Sequence, residues 1–418
     1  MERYSEYKDS GVKWLGEIPS HWEVMPLKSF IKFEKGKTPK EFSDENIGLP
    51  YLTMDYLRSR DNKIVKYPTS SIGLFEIEES EALVLWDGAN AGEFILSKKG
   101  YLGSTMAKIS GYREYFNNLY FYYFLKMLEP TSKDFANGTT IPHFDASILI
   151  NYHYPIPPID EQIVIGSYLD AATSKIDKAI AMQQKMIDLL NERKQIIIQN
   201  AVTKGLDENV EMKDSGVEWI GMIPKHWGLY PLRKYLNVNS KRNMPNAQLL
   251  SVTREEGVIV RNTESKEENH NFIPDDLSNY KYVRKGQFVI NKMKSWQGSY
   301  GVSNFNGIVS PAYFVYDLNY PNTTYFSMAI RSKMFSPFFS KYSKGIRIDQ
   351  WDLVPEALKV IPFLEPPVEE QIEIVEYLGN LIPKIESKIS NCQRQIALLQ
   401  ERKQIIINEV VTGKVKVS

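Results

Sequence analysis

The sequence predicts an α+β protein in which two mixed domains alternate with two long helices. The first observation is a phrase near the start of the chain, DSGVKWLGEIPSHW from Asp9, which recurs from Asp214 as DSGVEWIGMIPKHW with four differences in fourteen positions. The second is a block at residues 157–205 that recurs at residues 366–414. Because both blocks occur twice in the same order, the chain is an internal duplication with an expected pseudo-two-fold organisation.

Length and composition agree with a folded protein of more than one domain. A chain of 418 residues is longer than one hydrophobic core usually supports. Its 43% hydrophobic, 12% aromatic and 24% charged residues are typical of soluble globular proteins. The sequence has no signal-peptide pattern and no apolar run of membrane-spanning length. We therefore expect a cytoplasmic protein with no membrane partner.

The second repeated block predicts a long helix in each half. Residues at alternating spacings of four and three, apolar except for Gln183 in the first copy, recur in both copies, which is the pattern of a coiled-coil seam. The seam residues are Ile176, Ile180, Ile187 and Leu190 in the first copy, and Ile385, Ile389, Cys392, Ile396 and Leu399 in the second. Cys392 is the single cysteine, so it cannot form an intramolecular disulfide and is expected to be a small buried side chain. The two helices, of about 30 residues and about 45 Å each, are expected to pair antiparallel, with a helix break at Pro383.

The segments between the repeats predict small α+β domains. Residues 81–88, 284–291 and 307–317 are rich in β-branched and aromatic side chains and are bounded by turn residues, so they predict strands. The apolar segments 118–129 and 325–339 predict helices that follow those strands.

Catalytic and metal-binding patterns are absent from the sequence. It has no G-x-x-x-x-G-K-[ST] phosphate loop, no G-x-G-x-x-G cofactor turn and no Asn/Asp-Pro-Pro-aromatic motif of amino-methyltransferases. None of the five histidines has a partner at metal-ligand spacing. We therefore predict no catalytic residue and no metal site. In the repeated phrase we expect hydrogen-bonded structural histidines, His21 and His226, and core tryptophans, Trp14, Trp22, Trp219 and Trp227.

The clearest candidate binding surface lies in the second half. No acidic residue occurs between Asp276 and Asp317, although the net charge of the whole chain is zero. Basic, amide and aromatic side chains alternate in this interval, and such groups can neutralise phosphates and read base edges. The candidates are Lys281, Arg284, Lys292, Lys294, Trp296 and Gln297. A solvated face of a sheet explains the same pattern.

The first half has a weaker equivalent. An acid-free interval between Glu93 and Glu114 follows the glycine-rich turn WDGANAG. The candidates in and before it are Trp86, Asn90, Lys98, Lys99, Ser104 and Thr105. Two matched loops, residues 137–144 and 344–351, add Thr139, Thr140, His143, Arg347 and Gln350 as polar groups able to reach a ligand. A simple connection to the following helix is the alternative interpretation of these loops.

These residues together resemble a known family. The phrase YKDSGVKWLGEIPSHWEVMPLK, the helix starts PPIDEQ and PPVEEQ and the two ERKQIII helix ends resemble the DNA-specificity (S) subunit of type I restriction-modification enzymes over essentially the whole chain. The resemblance implies two target recognition domains, residues 1–156 and 206–365, each reading one half of a bipartite, asymmetric sequence in double-stranded DNA. It also implies that the helical regions, residues 157–205 and 366–414, pack antiparallel as a spacer.

The resemblance further implies partner proteins. The helices would dock two modification (methyltransferase) subunits, and restriction (translocase-nuclease) subunits would join the assembly. The chain itself would be non-catalytic and without a cofactor, because S-adenosylmethionine, ATP and Mg²⁺ would bind to the partner subunits. A spacer of about 45 Å exceeds one turn of DNA, about 34 Å, and so predicts two half-sites with a non-contacted stretch between them. An autonomous two-domain DNA-binding protein and a coiled-coil scaffold without DNA binding are the alternatives.

Overall fold

The α+β class is confirmed by a computed structural model that describes residues 2–29, 31–43, 45–59, 65–111, 117–134, 142–263, 273–345 and 351–417. The helices in these ranges are α1 (Met54–Arg58), α2 (Asn118–Asp134), α3 (Ala146–Ile150), α4 (Ile159–Lys204), α5 (Thr323–Ile330), α6 (Ser336–Lys341) and α7 (Val368–Val411). Within these ranges, no helix combines the length and the apolar character needed to cross a membrane.

The chain forms two compact units that do not follow the chain order. Unit 1 comprises Met1–Gln184 together with Gln393–Ser418, and unit 2 comprises Lys185–Cys392. The two long helices, α4 and α7, therefore each contribute one part to unit 1 and the other part to unit 2.

In unit 1 the segments of α4 and α7 run antiparallel. The indole of Trp22 donates to Glu161 in the first turn of α4 at 3.2 Å, and Gly413, just after α7, lies so close to the same ring that a Cβ there would meet it at 3.0 Å. Further along, Lys403 of α7 pairs with Asp177 of α4 at 2.7 Å. The start of one helix thus lies beside the end of the other.

Unit 2 repeats this arrangement with the helices exchanged. Trp227 donates to Glu370 in the first turn of α7 at 2.9 Å, and a Cβ on Gly205, just after α4, would lie 3.3 Å from the same indole. Lys194 of α4 pairs with Glu386 of α7 at 3.4 Å. Gly205 has a φ of 75°, the left-handed conformation that commonly ends a helix.

The burial of α4 and α7 follows the spacing of the predicted seam. Ile176, Ile187 and Ile385 are buried, whereas the neighbouring Leu189 and Leu398 are 50% and 57% exposed. The remaining seam positions are half-buried: Ile180, Leu190, Ile389, Cys392, Ile396 and Leu399. Packing between helices in each unit therefore involves one narrow stripe of each helix.

The helices are longer than predicted, and the break expected at Pro383 is absent. α4 has 46 residues and α7 has 44, with Pro383 inside α7. At 1.5 Å per residue these lengths are about 69 Å and about 66 Å. Proline removes one N–H, and the carbonyl that loses its partner belongs to Gly379, which is exposed and can bind water instead. The cost is therefore small enough for the paired helix to continue.

Both units contain a four-stranded antiparallel sheet with the same topology. In unit 1 the spatial order is Phe94–Leu96, Ala82–Leu85, Met106–Gly111 and Ile31–Lys35. In unit 2 it is Tyr300–Val302, Phe288–Ile290, Phe314–Leu318 and Leu236–Val238. If the strands of each sheet are numbered along the chain, both orders read three, two, four, one. The duplication thus extends into segments whose sequences differ.

Shorter strands complete each unit. In unit 1 these are Tyr7–Asp9, Glu17–Pro19, Glu23–Pro26, Phe42–Ser43, Tyr51–Leu52, Tyr67–Pro68, Glu76–Ile77, Gly100–Leu102 and His153–Ile156. In unit 2 these are Met212–Asp214, Met222–Pro224, Gly228–Pro231, Leu250–Thr253, Gly257–Val260, Lys281–Val283, Gly307–Val309, Ser343–Lys344, Asp352–Leu353 and Pro362–Glu365. Strands therefore occur in all three segments predicted to form them, and the segment at 307–317 contains two.

The predicted helix at 325–339 is in fact two helices, α5 and α6. α5 ends at Ile330, and the guanidinium of the next residue, Arg331, donates to the carbonyl oxygens of Tyr300 at 2.7 Å and Arg254 at 2.8 Å. Pro337 then lies in the first turn of α6, where its missing N–H costs no helical hydrogen bond. These contacts to backbone far away in the sequence are not visible in the apolar pattern of the segment.

Each main core is covered by the helix that follows its sheet and by parts of both long helices. In unit 1, Tyr120 of α2 is fully buried, and its hydroxyl proton lies between two acceptors, the carbonyls of Pro155 at 3.0 Å and Val411 at 3.2 Å. In unit 2, Tyr325 of α5 is fully buried and donates to the carbonyl of Val202, also at 3.2 Å. A buried phenol needs such a partner, so these two bonds fix each domain on the end of a long helix.

The repeated phrase forms a small hairpin in each unit. Tyr7–Asp9 pairs with Glu17–Pro19, and Met212–Asp214 pairs with Met222–Pro224 in the same register. Trp22 and Trp227, which follow the hairpins, are buried as predicted. The prediction was wrong for the other two tryptophans: Trp14 and Trp219 are 40% and 42% exposed and pack edge-on against Tyr152 and Phe338. Both lie at the hairpin tips, where the chain turns away from the core.

Candidate nucleic-acid interface

One edge of the unit 1 sheet gathers most of the described candidates of the first half. Ile31–Lys35 and Ala82–Leu85 end at this edge, and Met106–Gly111 begins there, because the central strand is antiparallel to both neighbours. The N–H of Trp86 donates to the carbonyl of Thr105 at 2.8 Å. Asn90 is exposed in the turn that follows Trp86, and Ser104 accepts a hydrogen bond from Thr38 at 2.8 Å.

Trp86 is partly a structural residue at this edge. Its ring packs edge-on against Phe33 and Phe144, with centroids 5.6 Å and 5.4 Å away. The ammonium of Lys35 lies 5.6 Å from the same ring. The indole is half-buried, so only part of it is available to another molecule.

Asp87 connects the sheet edge to the segment that returns towards α4. Its carboxylate pairs with Lys35 at 2.8 Å and with Nδ1 of His143 at 2.6 Å. Burial acts to raise the pKa of Asp87, but hydrogen bonds from Lys35 and His143 outweigh it and hold the pKa below its ordinary value. The N–H of Phe144 also donates to the carbonyl of Trp86 at 2.8 Å. His143 is therefore fixed beside Trp86 by both side-chain and backbone contacts.

Lys98 and Lys99 lie at the opposite edge of the sheet. Phe94–Leu96 runs antiparallel to Ala82–Leu85, so residues after Leu96 lie at the edge where Ala82 begins. The ammonium of Lys98 donates to the carbonyls of Tyr56 and Ser59 at 3.1 Å and 3.0 Å. Lys99 pairs with Glu78 at 3.0 Å. The structure thus gives both lysines partners within unit 1 and does not bring them together with Trp86.

The equivalent edge of unit 2 is built from the same backbone contacts with different side chains. The N–H of Leu353 donates to the carbonyl of Lys292 at 2.8 Å, as that of Phe144 does to Trp86. The ammonium of Lys292 pairs with Asp352 at 2.9 Å. Lys292 thus occupies the position of Trp86 and Asp352 that of His143, and in unit 2 these two residues form an ion pair.

Several candidates of the second half lie in the turn that follows Lys292. Lys294 is exposed, and Gln297 is half-buried in the short 3-10 turn Ser295–Gln297. Trp296 packs against Trp351 with ring centroids 4.9 Å apart. The turn connects Phe288–Ile290 to Tyr300–Val302, so it corresponds to the Asn90 turn of unit 1.

Lys281 is half-buried beside this edge of the unit 2 sheet, whereas Arg284 lies away from this edge. The ammonium of Lys281 donates to the carbonyl of Tyr313 at 2.5 Å, just before Phe314–Leu318 begins. Burial lowers the pKa of Lys281, and the positive charges of Arg242 and Lys292 lower it further. Arg284 lies before the opposite end of the sheet and pairs with Asp317 at 3.0 Å. Thr139, Thr140, Arg347 and Gln350 lie outside the described residues.

Sequence reasoning missed three groups at these edges: Lys35, Arg242 and Asp352. Arg242 lies in the basic segment SKRN, four residues beyond the end of the strand Leu236–Val238, and Lys35 ends the equivalent strand of unit 1. A basic residue at or shortly after the end of a strand would have pointed to Lys35 and Arg242. The sequence did not predict either strand, so this signal could not be used. Within the described ranges, no group of His, Cys, Asp and Glu side chains is arranged to hold a metal ion.

The repeated phrase contributes a second kind of site, at the helix starts. Glu161 accepts hydrogen bonds from Tyr4 and Trp22 and contacts Nε2 of His21 at 2.8 Å. Glu370 contacts His226 at 2.5 Å in the same way. Both histidines are exposed and hydrogen-bonded, so they are structural groups at the surface and not in a core.

The structure defines a protein of two similar units, each with a four-stranded sheet of the same topology but different polar side chains at its edge, and each with segments of two long antiparallel helices. Residues 19–186 match the family described as the type I restriction modification DNA specificity domain. The chain is 30% identical to the type I restriction enzyme MjaVIII specificity subunit of Methanocaldococcus jannaschii, over 98% of this chain and 97% of that protein. It is 21% identical to the EcoKI specificity subunit of Escherichia coli K12, over 96% of this chain and 90% of that one. The chain belongs to the family of type I restriction enzyme specificity subunits.

A solved structure supports the fold over nearly the whole length. It comes from work on the complex assembly and conformational transition of a type I restriction-modification system. The TM-score is 0.63 at 13% identity, covering 95% of this chain and 99% of that one.

Proposed function

We propose that this chain selects the DNA sequence on which a type I restriction-modification enzyme acts in the cytoplasm. In this proposal, residues 1–156 and 206–365 are two target recognition domains, each reading one half of a bipartite, asymmetric sequence. One observation carries the proposal: the two sheets share their topology, yet the equivalent edge positions carry Trp86 and His143 in one unit and Lys292 and Asp352 in the other. Two sheets of the same topology with different side chains at their edges are suited to reading two different half-sequences.

The side chains at these edges have the chemistry for base recognition. An amide such as Asn90 or Gln297 can pair bidentately with adenine, and a lysine such as Lys294 can donate to guanine. Each well-placed bidentate contact is worth about 1–3 kcal/mol of discrimination against the wrong base. We assign Lys98, Lys99 and Arg284 a supporting role, because they bind groups of their own unit at the other edges.

We further propose that α4 and α7, within residues 157–205 and 366–414, set the distance between the two half-sequences. The removal of one heptad from both helices keeps the seam in phase and shortens each by about 10 Å. The spacer in the recognised sequence should then shrink by about three base pairs, since base pairs are about 3.4 Å apart. An unchanged spacer would contradict this role.

We propose that two modification (methyltransferase) subunits dock on exposed apolar residues that recur in both helices. Ile163 and Ile372 occupy equivalent positions and are 47% and 46% exposed. Large exposed apolar side chains at duplicated positions fit two copies of one partner. Restriction (translocase-nuclease) subunits would join this assembly, and S-adenosylmethionine, ATP and Mg²⁺ would bind to the partners.

Co-purification tests the docking proposal. The wild-type chain should retain two methyltransferase subunits, the Ile372→Asn variant one, and the double variant with Ile163→Asn none. Met182→Asn is the matched control, because Met182 is 71% exposed but its equivalent in α7 is the polar Asn391. Two retained methyltransferase subunits in the double variant would refute the proposed surface.

Methylation mapping tests the proposed function itself. DNA from cells that express the chain with its partner subunits should carry methylated bases in a bipartite motif. Replacement of residues 70–150 by the corresponding segment of another specificity subunit should change one half of the motif and leave the other half unchanged. A motif without two separable halves would refute the proposal.

A further inference from the structure

Unit 2 contains a group of three cationic side chains at the sheet edge, Arg242, Lys281 and Lys292, of which only Lys292 pairs with a carboxylate among the described residues. The N–H of Tyr282 donates to the carbonyl of Lys241 at 2.7 Å, and that of Asn243 donates to the carbonyl of Ser278 at 3.0 Å. These bonds hold residues 241–243 alongside the strand Lys281–Val283, which brings Arg242 near Lys281. Lys292 is the third member, and it belongs to the next turn at the same edge.

The three side chains differ in how many hydrogen-bonding or ionic partners they already have within unit 2. Lys281 has three N–H donors, of which one binds the carbonyl of Tyr313. Lys292 pairs with Asp352, whose side chain is 50% exposed. Arg242 is exposed and has no carboxylate partner among the residues that the structure describes. The positive charges of Arg242 and Lys292 lower the pKa of Lys281, so the three like charges repel one another and a bound anion would stabilise the group.

The equivalent position in unit 1 has no such group. Ile77 pairs with Gly100 as Val283 pairs with Gly307, and this register aligns Phe75 with Lys281. The residues that follow are acidic: Glu76 and then Glu78, which pairs with Lys99 at 3.0 Å. The cationic group is therefore a property of unit 2 alone and was not part of the duplicated frame.

We infer that Arg242, Lys281 and Lys292 form a phosphodiester-binding site in the second recognition domain. This inference rests on the proposed function, because the anion is a phosphate of the DNA backbone. A half-buried ammonium held by a carbonyl and an exposed guanidinium can both donate to the phosphate oxygens. Such contacts position the duplex without reading its sequence, while neighbouring groups such as Gln297 remain free for bases.

Salt titration of the chain in complex with its methyltransferase tests the inference. The probe is a duplex that contains the methylated motif, compared with a duplex of scrambled sequence. Each lost phosphate contact should lower the slope of log affinity against log salt concentration by about 0.9. Arg242→Gln and Lys281→Met should each show this loss and weaken both duplexes equally, with the methylated motif unchanged. Lys281→Met retains an apolar side chain of similar length and so preserves packing.

The control and the possible outcomes distinguish a failure of the phosphate site from a failure of the proposed function. Lys285→Gln lies in the same acid-free interval but is exposed outside the group, so its slope should equal that of the wild type. A wild-type slope in Arg242→Gln would refute the phosphate site and leave the proposed function intact. A wild-type complex that binds both duplexes equally would instead refute the proposed function.

Discussion

The carboxylate of Glu161, in the first turn of α4, accepts a hydrogen bond from the buried indole of Trp22 at 3.2 Å. Glu370 and Trp227 repeat this relationship at the start of α7 at 2.9 Å. The repeated phrase therefore fixes the first turn of each long helix to the domain that precedes that helix. Its recurrence reflects a structural requirement that both halves share.

Removal of this carboxylate should destabilise unit 1. In the Glu161→Ala variant the N–H of Trp22 is left buried without a partner, which costs about 1–3 kcal/mol. Urea unfolding followed by tryptophan fluorescence should show the transition at lower urea. Glu17→Ala is the control, because Glu17 is exposed in the same hairpin. Equal shifts in both variants would show that the contact is not the cause.

Truncation of the seam should destabilise the helix pair. Ile187 and Ile385 are 7% and 6% exposed, and replacing either with alanine should lower the free energy of unfolding by about 2–5 kcal/mol. Leu189→Ala should change it by no more than about 0.5 kcal/mol, since Leu189 is 50% exposed. Calorimetry of the three variants measures these differences. A larger effect at Leu189 than at Ile187 would place the seam on another face.

Replacement of Pro383 by serine should stabilise α7. Ser174 occupies the equivalent position of α4, so the substitution is compatible with the helix pair. It restores an N–H for the carbonyl of Gly379, and a gain of about 1–3 kcal/mol follows from the helix propensities of the two residues. Hydrogen exchange should slow in the turn around residue 383. Faster exchange there would show that the proline stabilises the observed conformation.

The Asp87 network should make unit 1 more stable at neutral pH than in acid. The folded pKa of Asp87 lies below its ordinary value of 3.8, so its contribution is present above about pH 4 and is lost as the pH falls through the folded pKa. The stability difference between wild type and Asp87→Asn should be largest near pH 7 and should shrink below pH 4. Urea unfolding across this range measures it, with Glu79→Gln as the exposed control. A difference independent of pH would mean that Asp87 acts through packing alone.

The sequence predicted the duplication, the α+β class and the antiparallel helices because these depend on local patterns that occur twice. It did not predict the full length of α4 and α7. Pro383 is a strong local break signal, but pairing along the seam and hydration of the Gly379 carbonyl outweigh it. The division of residues 325–339 was missed because Arg331 binds the carbonyls of Tyr300 and Arg254, which are distant in the sequence.

The candidate interface was predicted only in part, because a linear interval does not show strand direction. Lys98 and Ser104 share one acid-free interval, yet an antiparallel sheet places them at opposite edges. Arg242 and Lys281 are separated along the chain, and backbone bonds from Tyr282 to Lys241 and from Asn243 to Ser278 bring them together. Their proximity depends on tertiary register, which residue types alone do not specify.

The buried tyrosines that join each domain to the end of a long helix bear on how such proteins diversify. Tyr120 and Tyr325 bind the carbonyls of Val411 and Val202, so each domain contacts the helix of the other copy through the peptide backbone. A backbone acceptor is present whatever side chain stands at that position. Genes for relatives could therefore exchange a whole domain by recombination without mismatching these two contacts. New pairings of half-sequences would then arise in a single genetic event.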